Sequence, residues 1–250
     1  MIAFITGSTS GLGKATAELF AKNGYNIVIT GRRKERLDEL SAHLKSVYKV
    51  EVLSLNFDVR KLKEVESAVN SLNADWKKIN VLVNNAGLAV GLGPINEGVI
   101  DDWERMIDTN IKGLLYMTRY LSPIMIENGY GHIVNIGSIA GKEVYANGNV
   151  YCATKHAVDA LSKAMRIDLL QHNIKVTAIH PGMVETEFSI VRFKGDEDRA
   201  KNVYKGVTPL SATDIADTIY WVASRPAHVN INDIIIMPTA QANPTHTIRK

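Results

Sequence analysis

"MIAFITGSTSGLGKATAELF", residues 1 to 20, begins with an apolar run and passes through three glycines into a segment of helical period. The run IAFIT (2 to 6) predicts a strand, and Lys14 to Asn23 predicts an amphipathic helix. Gly7, Gly11 and Gly13 stand between them in the order GxxxGxG. A strand that turns at once into a helix needs residues without a Cβ, both for unusual backbone angles and to let a ligand approach the chain closely. The free amides of a helix N-terminus attract an anion, and a pyrophosphate fits that description. The order differs from the GxGxxG fingerprint, so this is a variant of the dinucleotide-binding turn. Gly7, Ser8, Thr9, Ser10, Gly11, Leu12 and Gly13 are the candidate cradle.

The same rhythm runs almost to the end of the chain. Further apolar runs occupy 26 to 30, 50 to 57, 81 to 85, 132 to 137, 175 to 180 and 233 to 238, which makes seven predicted strands. Between them, Lys34 to Val47, Leu62 to Ala74, Asp101 to Glu127, Val150 to Gln171 and Thr213 to Ser224 are long enough for helical crossovers. Several strand runs are apolar on both faces, as they are when helices cover both sides of a parallel sheet. The expected fold is a single-domain, Rossmann-type doubly wound α/β sheet of seven mainly parallel strands. Its ligands bind where the strands end, along one edge. Residues 189 to 207 break the rhythm with mixed charge and read as a lid over that edge. The polar tail, 240 to 250, reads either as disordered or as wrapping a neighbouring subunit.

Composition narrows the classes of function. The 250 residues are 46% hydrophobic and 22% charged, a profile that suits one large core. The 29 basic and 26 acidic residues are dispersed and sum to +3, without the basic blocks that mark nucleic-acid partners. The single cysteine, Cys152, excludes an intrachain disulfide and reads as a small buried helix residue. No run of 18 apolar residues occurs and no basic stretch precedes the first apolar run, so the expected protein is cytoplasmic, with no membrane partner.

The second predicted strand ends "ITGRRKERL", from residue 29. An acid about 20 residues past the glycines suits the ribose 2′-hydroxyl of NAD, whereas an arginine there suits the 2′-phosphate of NADP. Ile27 to Arg33 holds no acid, and Arg32 and Arg33 stand at that distance. A guanidinium grips phosphate through paired hydrogen bonds, so NADP is the expected cofactor. Asp58 and Val59, ending the third strand, would lie under the adenine if that strand neighbours the second. Farther along, "YCATK" (151 to 155) places a phenol and an ammonium four positions apart in a predicted helix. That spacing returns to one face a turn later, so Tyr151 and Lys155 can address one object. Scattered histidines give no metal-ligand spacing.

These motifs together resemble those of the short-chain dehydrogenase/reductase family along essentially the whole chain. The matching stretches are "TGSTSGLG", "NNAG" (84 to 87), Asn110 in "MIDTNIKG", Ser138 in "NIGSIAG", "YCATK" and "HPGMVETEF" (180 to 188). "TGRRKERL", "GNVYCATK", "TEFSIVRFKGD" and "PAHVNIN" are similar to the subgroup of NADP-dependent 3-hydroxy acid dehydrogenases, whose substrates include serine, L-allo-threonine and 3-hydroxypropionate. The resemblance implies Tyr151 as acid/base, Ser138 as the hydrogen-bond partner of the substrate oxygen, and Lys155 as the cation that tunes Tyr151 and holds the nicotinamide ribose. It implies that Asn110, on a helix whose backbone is partly freed, binds a water passing protons from Lys155 to solvent. Asn85, Ala86 and Gly87, then Pro181, Gly182, Met183, Val184 and Thr186, would contact the cofactor. Arg192 and Lys194 are the candidates for the substrate's acid group. His180 stands where the family more usually has a polar or acidic residue, which would alter the pocket. A homotetramer is the family's usual assembly.

The electrostatics are adequate in size. Ionising a tyrosine at pH 7 takes roughly 4 kcal/mol, since its ordinary pKa lies about three units higher. A unit positive charge about 4 Å away supplies about as much at an effective dielectric near 20. Two other readings keep the loop but change the outcome: reduction of another small aldehyde or ketone such as sulfoacetaldehyde, and a non-catalytic NADP sensor. Intact Ser138, Tyr151 and Lys155 speak against the sensor.

Overall fold

In the computed structural model, which describes residues 1–250, the glycine loop joins β1 (Ile2–Ile5) to α1 (Gly11–Lys22). Six more strands follow: β2 (Asn26–Gly31), β3 (Val52–Asn56), β4 (Val81–Asn84), β5 (Gly131–Ile136), β6 (Ile174–Pro181) and β7 (Asp233–Ile236). They form one parallel sheet in the order β3-β2-β1-β4-β5-β6-β7. The order reverses between β1 and β4, which opens a crevice at the C-terminal ends of those strands. The glycine loop and "NNAG" therefore meet there.

Strand alternation sorts the side chains onto the two faces. Ala3, Ile5, Ile27, Ile29, Val81 and Val83 pack with Phe20, Leu37, Leu44, Ile215 and Ile219, from α1, α2 (Lys34–Tyr48) and α9 (Ala212–Ala223). Phe4, Val28, Leu82 and Ile133 face the other way, onto Val65, Met117, Leu121, Met125 and Val158. Those last residues come from α3 (Leu62–Asn70), α5 (Leu114–Asn128) and α6 (Asn149–Asp168). Both faces are dry, which is why the strands read as continuous apolar runs.

Three segments depart from the expected boundaries. Residues 101 to 127 do not make one helix: α4 (Ile100–Ile107) gives way to a π-helical turn at Asp108–Gly113 before α5 begins. Residues 150 to 171 end as α6 at Asp168, followed by a short 3₁₀ turn, Leu170–His172. The segment 189 to 207 carries α7 (Phe188–Arg192) and α8 (Glu197–Asn202), tied down where Tyr204 Oη lies 2.6 Å from Ser189 Oγ and 2.9 Å from the Val184 carbonyl oxygen.

The tail packs against its own chain. Gln241 is buried and its Oε1 accepts from the Met183 amide at 2.8 Å, while Arg249 donates to the carbonyls of Val203 (3.0 Å) and Lys205 (2.6 Å). Satisfying these backbone groups fixes the tail against Met183 and residues 203 to 205.

Candidate active site

The crevice is a cleft of about 690 Å³ bordered by the glycine loop, the ends of β2 to β6, α7 with the segment that follows it, and the tail. Gly7 and Gly11 have φ of +68° and +52°, backbone that a side chain would strain. A Cβ on Gly13 would come within 2.4 Å of the Gly7 carbonyl oxygen, so its absence lets α1 start against the turn. Ser10 caps α1 without a side-chain hydrogen bond to the first-turn amides, which are left to attract an anion. Gly7, Thr9, Ser10, Gly11 and Leu12 line the cleft; Ser8 and Gly13 do not. Ser8 serves the turn itself, donating from Oγ to the Ile5 carbonyl (2.8 Å) and from its amide to Thr30 (2.9 Å).

Arg32 and Arg33 border the cleft at the end of β2. Arg33 donates to Thr9 Oγ1 (2.8 Å) and Ser10 Oγ (2.8 Å), drawing a guanidinium and two hydroxyls together at the α1 N-terminus. Glu187, on the lid side, accepts from both Arg33 (3.1 Å) and Arg36 (2.8 Å). Glu187 and Arg36 lie in stretches that match the family, but nothing local marks their pairing, because Glu187 is far from both arginines along the chain. Asp58 and Val59 also border the cleft, next to β2 as the pairing of β3 with β2 requires. Burial pushes the Asp58 carboxyl up, but hydrogen bonds from Arg60 outweigh it and hold the group below the usual range.

Asn85, Ala86 and Gly87 line the cleft opposite. Thr6 Oγ1 accepts from the Asn85 and Ala86 amides (3.0 and 2.9 Å), and Asn85 Nδ2 donates to the Thr6 carbonyl (2.8 Å), so the loops after β1 and β4 are locked together. Asn110 lies in the π turn, buried, and does not line the cleft. Its side chain clamps the next loop: Oδ1 accepts from the Leu88 amide (2.7 Å) and Nδ2 donates to the Leu88 carbonyl (2.8 Å).

Ser138, Tyr151 and Lys155 meet at the centre of the cleft. Ser138 follows β5, and its Oγ accepts from the Ala140 amide at 3.1 Å. Tyr151 and Lys155 sit one turn apart on α6, and both are buried. The ammonium lies 6.0 Å from the Tyr151 ring centroid and donates to the Ile136 carbonyl at 2.8 Å. Burial raises the Tyr151 hydroxyl above its ordinary value, Tyr145 adds to this, and Ser138 and Arg192 oppose it. Burial also pushes Lys155 down, to about 8. In the coenzyme-free protein desolvation outweighs the Ser138 hydrogen bond and the Arg192 charge at the Tyr151 hydroxyl.

Pro181, Gly182, Met183, Val184 and Thr186 form the lid-side wall. Arg192 reaches the cleft from the end of α7: its guanidinium carbon is 5.5 Å from the Tyr151 ring centroid and Nη2 donates to Tyr145 Oη at 2.7 Å. Its Nε is buried and has no partner. Lys194 is not in the cleft, because Asp102, a buried carboxylate on α4, holds its ammonium at 2.7 Å. Phe188, which ends the matched stretch 180 to 188 and opens α7, lines the cleft, as do Tyr145, Tyr204 and Gln241, which sit on irregular segments with no periodicity. His180 does not alter the pocket directly: it is fully buried and outside the lining. Cys152 is a buried free thiol.

The model of the short chain dehydrogenase family matches residues 1–197. The NADP-dependent 3-hydroxy acid dehydrogenase YdfG of Salmonella typhi is 49% identical over 243 residues, covering 97% of this chain and 96% of that one. Serine 3-dehydrogenase of Rhizobium radiobacter is 45% identical over 238 residues, covering 95% and 94%. Among solved structures, the closed form of serine dehydrogenase complexed with NADP+ superposes with a TM-score of 0.93 at 44% identity, each chain fully covered. No helix here is long and apolar enough to cross a membrane. With its glycine turn, its switch-point cleft and this similarity along its length, the chain belongs to the short-chain dehydrogenase family of oxidoreductases.

Proposed function

We propose that this protein is an NADP-dependent dehydrogenase interconverting a small 3-hydroxy acid, of the serine, L-allo-threonine or 3-hydroxypropionate type, with its 3-oxo acid or semialdehyde. The observation that carries the substrate class is Arg192: a guanidinium with a buried, unpartnered Nε stands beside the Tyr151 ring, where a carboxylate would be held next to the reacting carbon. The activities for which the two relatives are named, and the NADP+ of the closed serine dehydrogenase, agree with it.

The glycine turn, the hydroxyls of Thr9 and Ser10, Arg32 and Arg33 suit a dinucleotide bearing a 2′-phosphate, with residues 181 to 186 against its carboxamide end. When bound, NADP+ supplies the hydride acceptor and a positive ring beside Tyr151. Ser138 donates to the substrate oxygen and orients it. Tyr151 takes the hydroxyl proton as the C–H bond breaks, and returns it in the reduction. Lys155 stabilises the phenolate, and the backbone of the Asn110 turn holds a water through which the proton reaches solvent.

Replacing Arg192 by leucine should raise KM for 3-hydroxypropionate about 10- to 30-fold, the loss of one or two charge-assisted hydrogen bonds, and leave KM for NADP+ unchanged. Steady-state rates on L-serine, L-allo-threonine, 3-hydroxypropionate and sulfoacetaldehyde check both the class and its rival; equal efficiency on a neutral aldehyde would remove Arg192 from recognition. The double variant Arg32→Ala, Arg33→Ala should bind NADP+ about 30-fold more weakly while NAD+ changes little, measured by coenzyme titration. A preference for NAD+ in the parent contradicts the arginine reading.

A further inference from the structure

His180 is a fully buried titratable side chain for which the proposed chemistry has no use. It stands next to the end of β6, and a Cβ on Gly137 would come within 2.5 Å of its Nδ1, so the ring is pressed against the residue preceding Ser138. Nδ1 lies 3.2 Å from the Ser138 carbonyl oxygen. Nε2 lies 3.4 Å from Asp233 Oδ2 on β7 and 3.6 Å from Asp159 Oδ1 on α6, and makes no hydrogen bond.

Both ring nitrogens thus face acceptors, and one proton can serve only one of them. The geometry decides between them: Nδ1 is within hydrogen-bond reach of its acceptor and Nε2 is not, and the carboxylates are neutralised by lysines. Lys142 donates to Asp159 Oδ1 at 2.8 Å and to Asp233 Oδ2 at 2.9 Å, and Lys163 donates to Asp159 Oδ2 at 2.7 Å. The Ser138 carbonyl has one other donor, the Gly141 amide at 2.8 Å, and retains a free lone pair on the histidine side. Neighbours of this kind assign the proton to Nδ1. Burial keeps the ring neutral, lowering its pKa below the ordinary value, so the ring keeps a lone pair on Nε2.

We propose that His180 is a positioning residue for Ser138: its Nδ1–H fixes the carbonyl of the residue whose hydroxyl orients the substrate, and the Lys142, Asp159 and Asp233 cluster fixes the ring. This rests on the reading of Ser138, Tyr151 and Lys155 given above. It makes the cluster of Lys142, Asp159 and Asp233, none of which lines the cleft, part of the apparatus that aims a side chain within it.

Three substitutions separate aiming from packing. Asparagine places an amide donor at the position of Nδ1, glutamine places it at the position of Nε2, and leucine has no donor. His180→Gln and His180→Leu should lower kcat on 3-hydroxypropionate about tenfold, with the Kd for NADPH, from its fluorescence, held within about twofold; His180→Asn should stay within about twofold of the parent in kcat. Thermal unfolding confirms that each variant is folded, and where leucine does not fold, asparagine against glutamine decides. Equal kcat for asparagine and glutamine, or parental kcat in glutamine and leucine, overturns the proposal. Tyr151→Phe run alongside distinguishes the two levels: if it keeps parental activity, the reading of the site itself falls, whereas an inactive Tyr151→Phe with equal asparagine and glutamine removes only His180.

Discussion

Tyr151→Phe should lower kcat for 3-hydroxy acid oxidation about 10³-fold, within the span of about 10² to 10⁴ that a positioned acid/base contributes. KM for NADP+ should be nearly unchanged. The substitution deletes one oxygen and leaves the ring, which is buried with Leu88, Met106 and Ala140 and sits 5.8 Å from the Phe188 ring centroid. No cavity opens, so a loss of activity cannot be ascribed to collapse of the cleft. Absorbance of the reduced coenzyme measures the rate directly. A variant within about tenfold of the parent would assign the proton transfer to another group.

Lys155→Met should act in opposite directions on activity and on stability. The ammonium lies in a fully desolvated place, and its pKa of about 8 lies below the 10.5 of an ordinary lysine. The unfolded chain therefore holds the lysine proton up to pH 10.5 while the folded protein releases it near pH 8. Below pH 8 the full penalty applies; between pH 8 and 10.5 it is relieved, so the unliganded protein gains stability as pH rises through that window. The penalty is about 3 kcal/mol at about 1.4 kcal/mol per pKa unit, and the lost hydrogen bond to the Ile136 carbonyl offsets about 1 kcal/mol of what methionine gains. The net gain of about 2 kcal/mol at pH 7 corresponds to a rise in Tm of about 4 to 8 °C. In the same variant kcat should fall about 10²-fold, as the phenolate loses the charge that stabilises it. Calorimetry of the coenzyme-free protein at pH 7 and pH 10 checks the first effect, and a Tm below the parent's at pH 7 would contradict it.

The parts of this site written in short-range pattern were legible in the chain, and those assembled from distant elements were not. A run of strand type, glycines and a helical period sit side by side in residues 2 to 23, so β1, its turn and α1 follow from local chemistry. Tyr151 and Lys155 are four apart on one helix, and geometry alone puts them on one face. The π turn at Asp108–Gly113 inserts extra backbone without interrupting the apolar period strongly, so α4 and α5 read as a single helix. Arg192 and Lys194 look equivalent in sequence, but two residues apart at the end of a short helix they diverge. One turns inward to Tyr145 and the other to Asp102. The His180 cluster draws Lys142, Asp159 and Asp233 from three other segments, and only the sheet order brings β6 and β7 together beneath Ser138.

The separation between Lys155 and Tyr151 gives a number to test. The Lys155 ammonium lies 6.0 Å from the Tyr151 ring centroid; a unit charge about 6 Å from a phenolate oxygen, at an effective dielectric near 20, favours its ionisation by about 3 kcal/mol, or about two pH units. The pH dependence of kcat for 3-hydroxypropionate oxidation, measured in the parent and in Lys155→Met over the range where the low-pH limb is defined, reads that shift directly. Tyr151 governs that limb, so its inflection should move upward by about two units when the ammonium is removed. An inflection at the same pH in both proteins would show that the lysine does not tune the tyrosine.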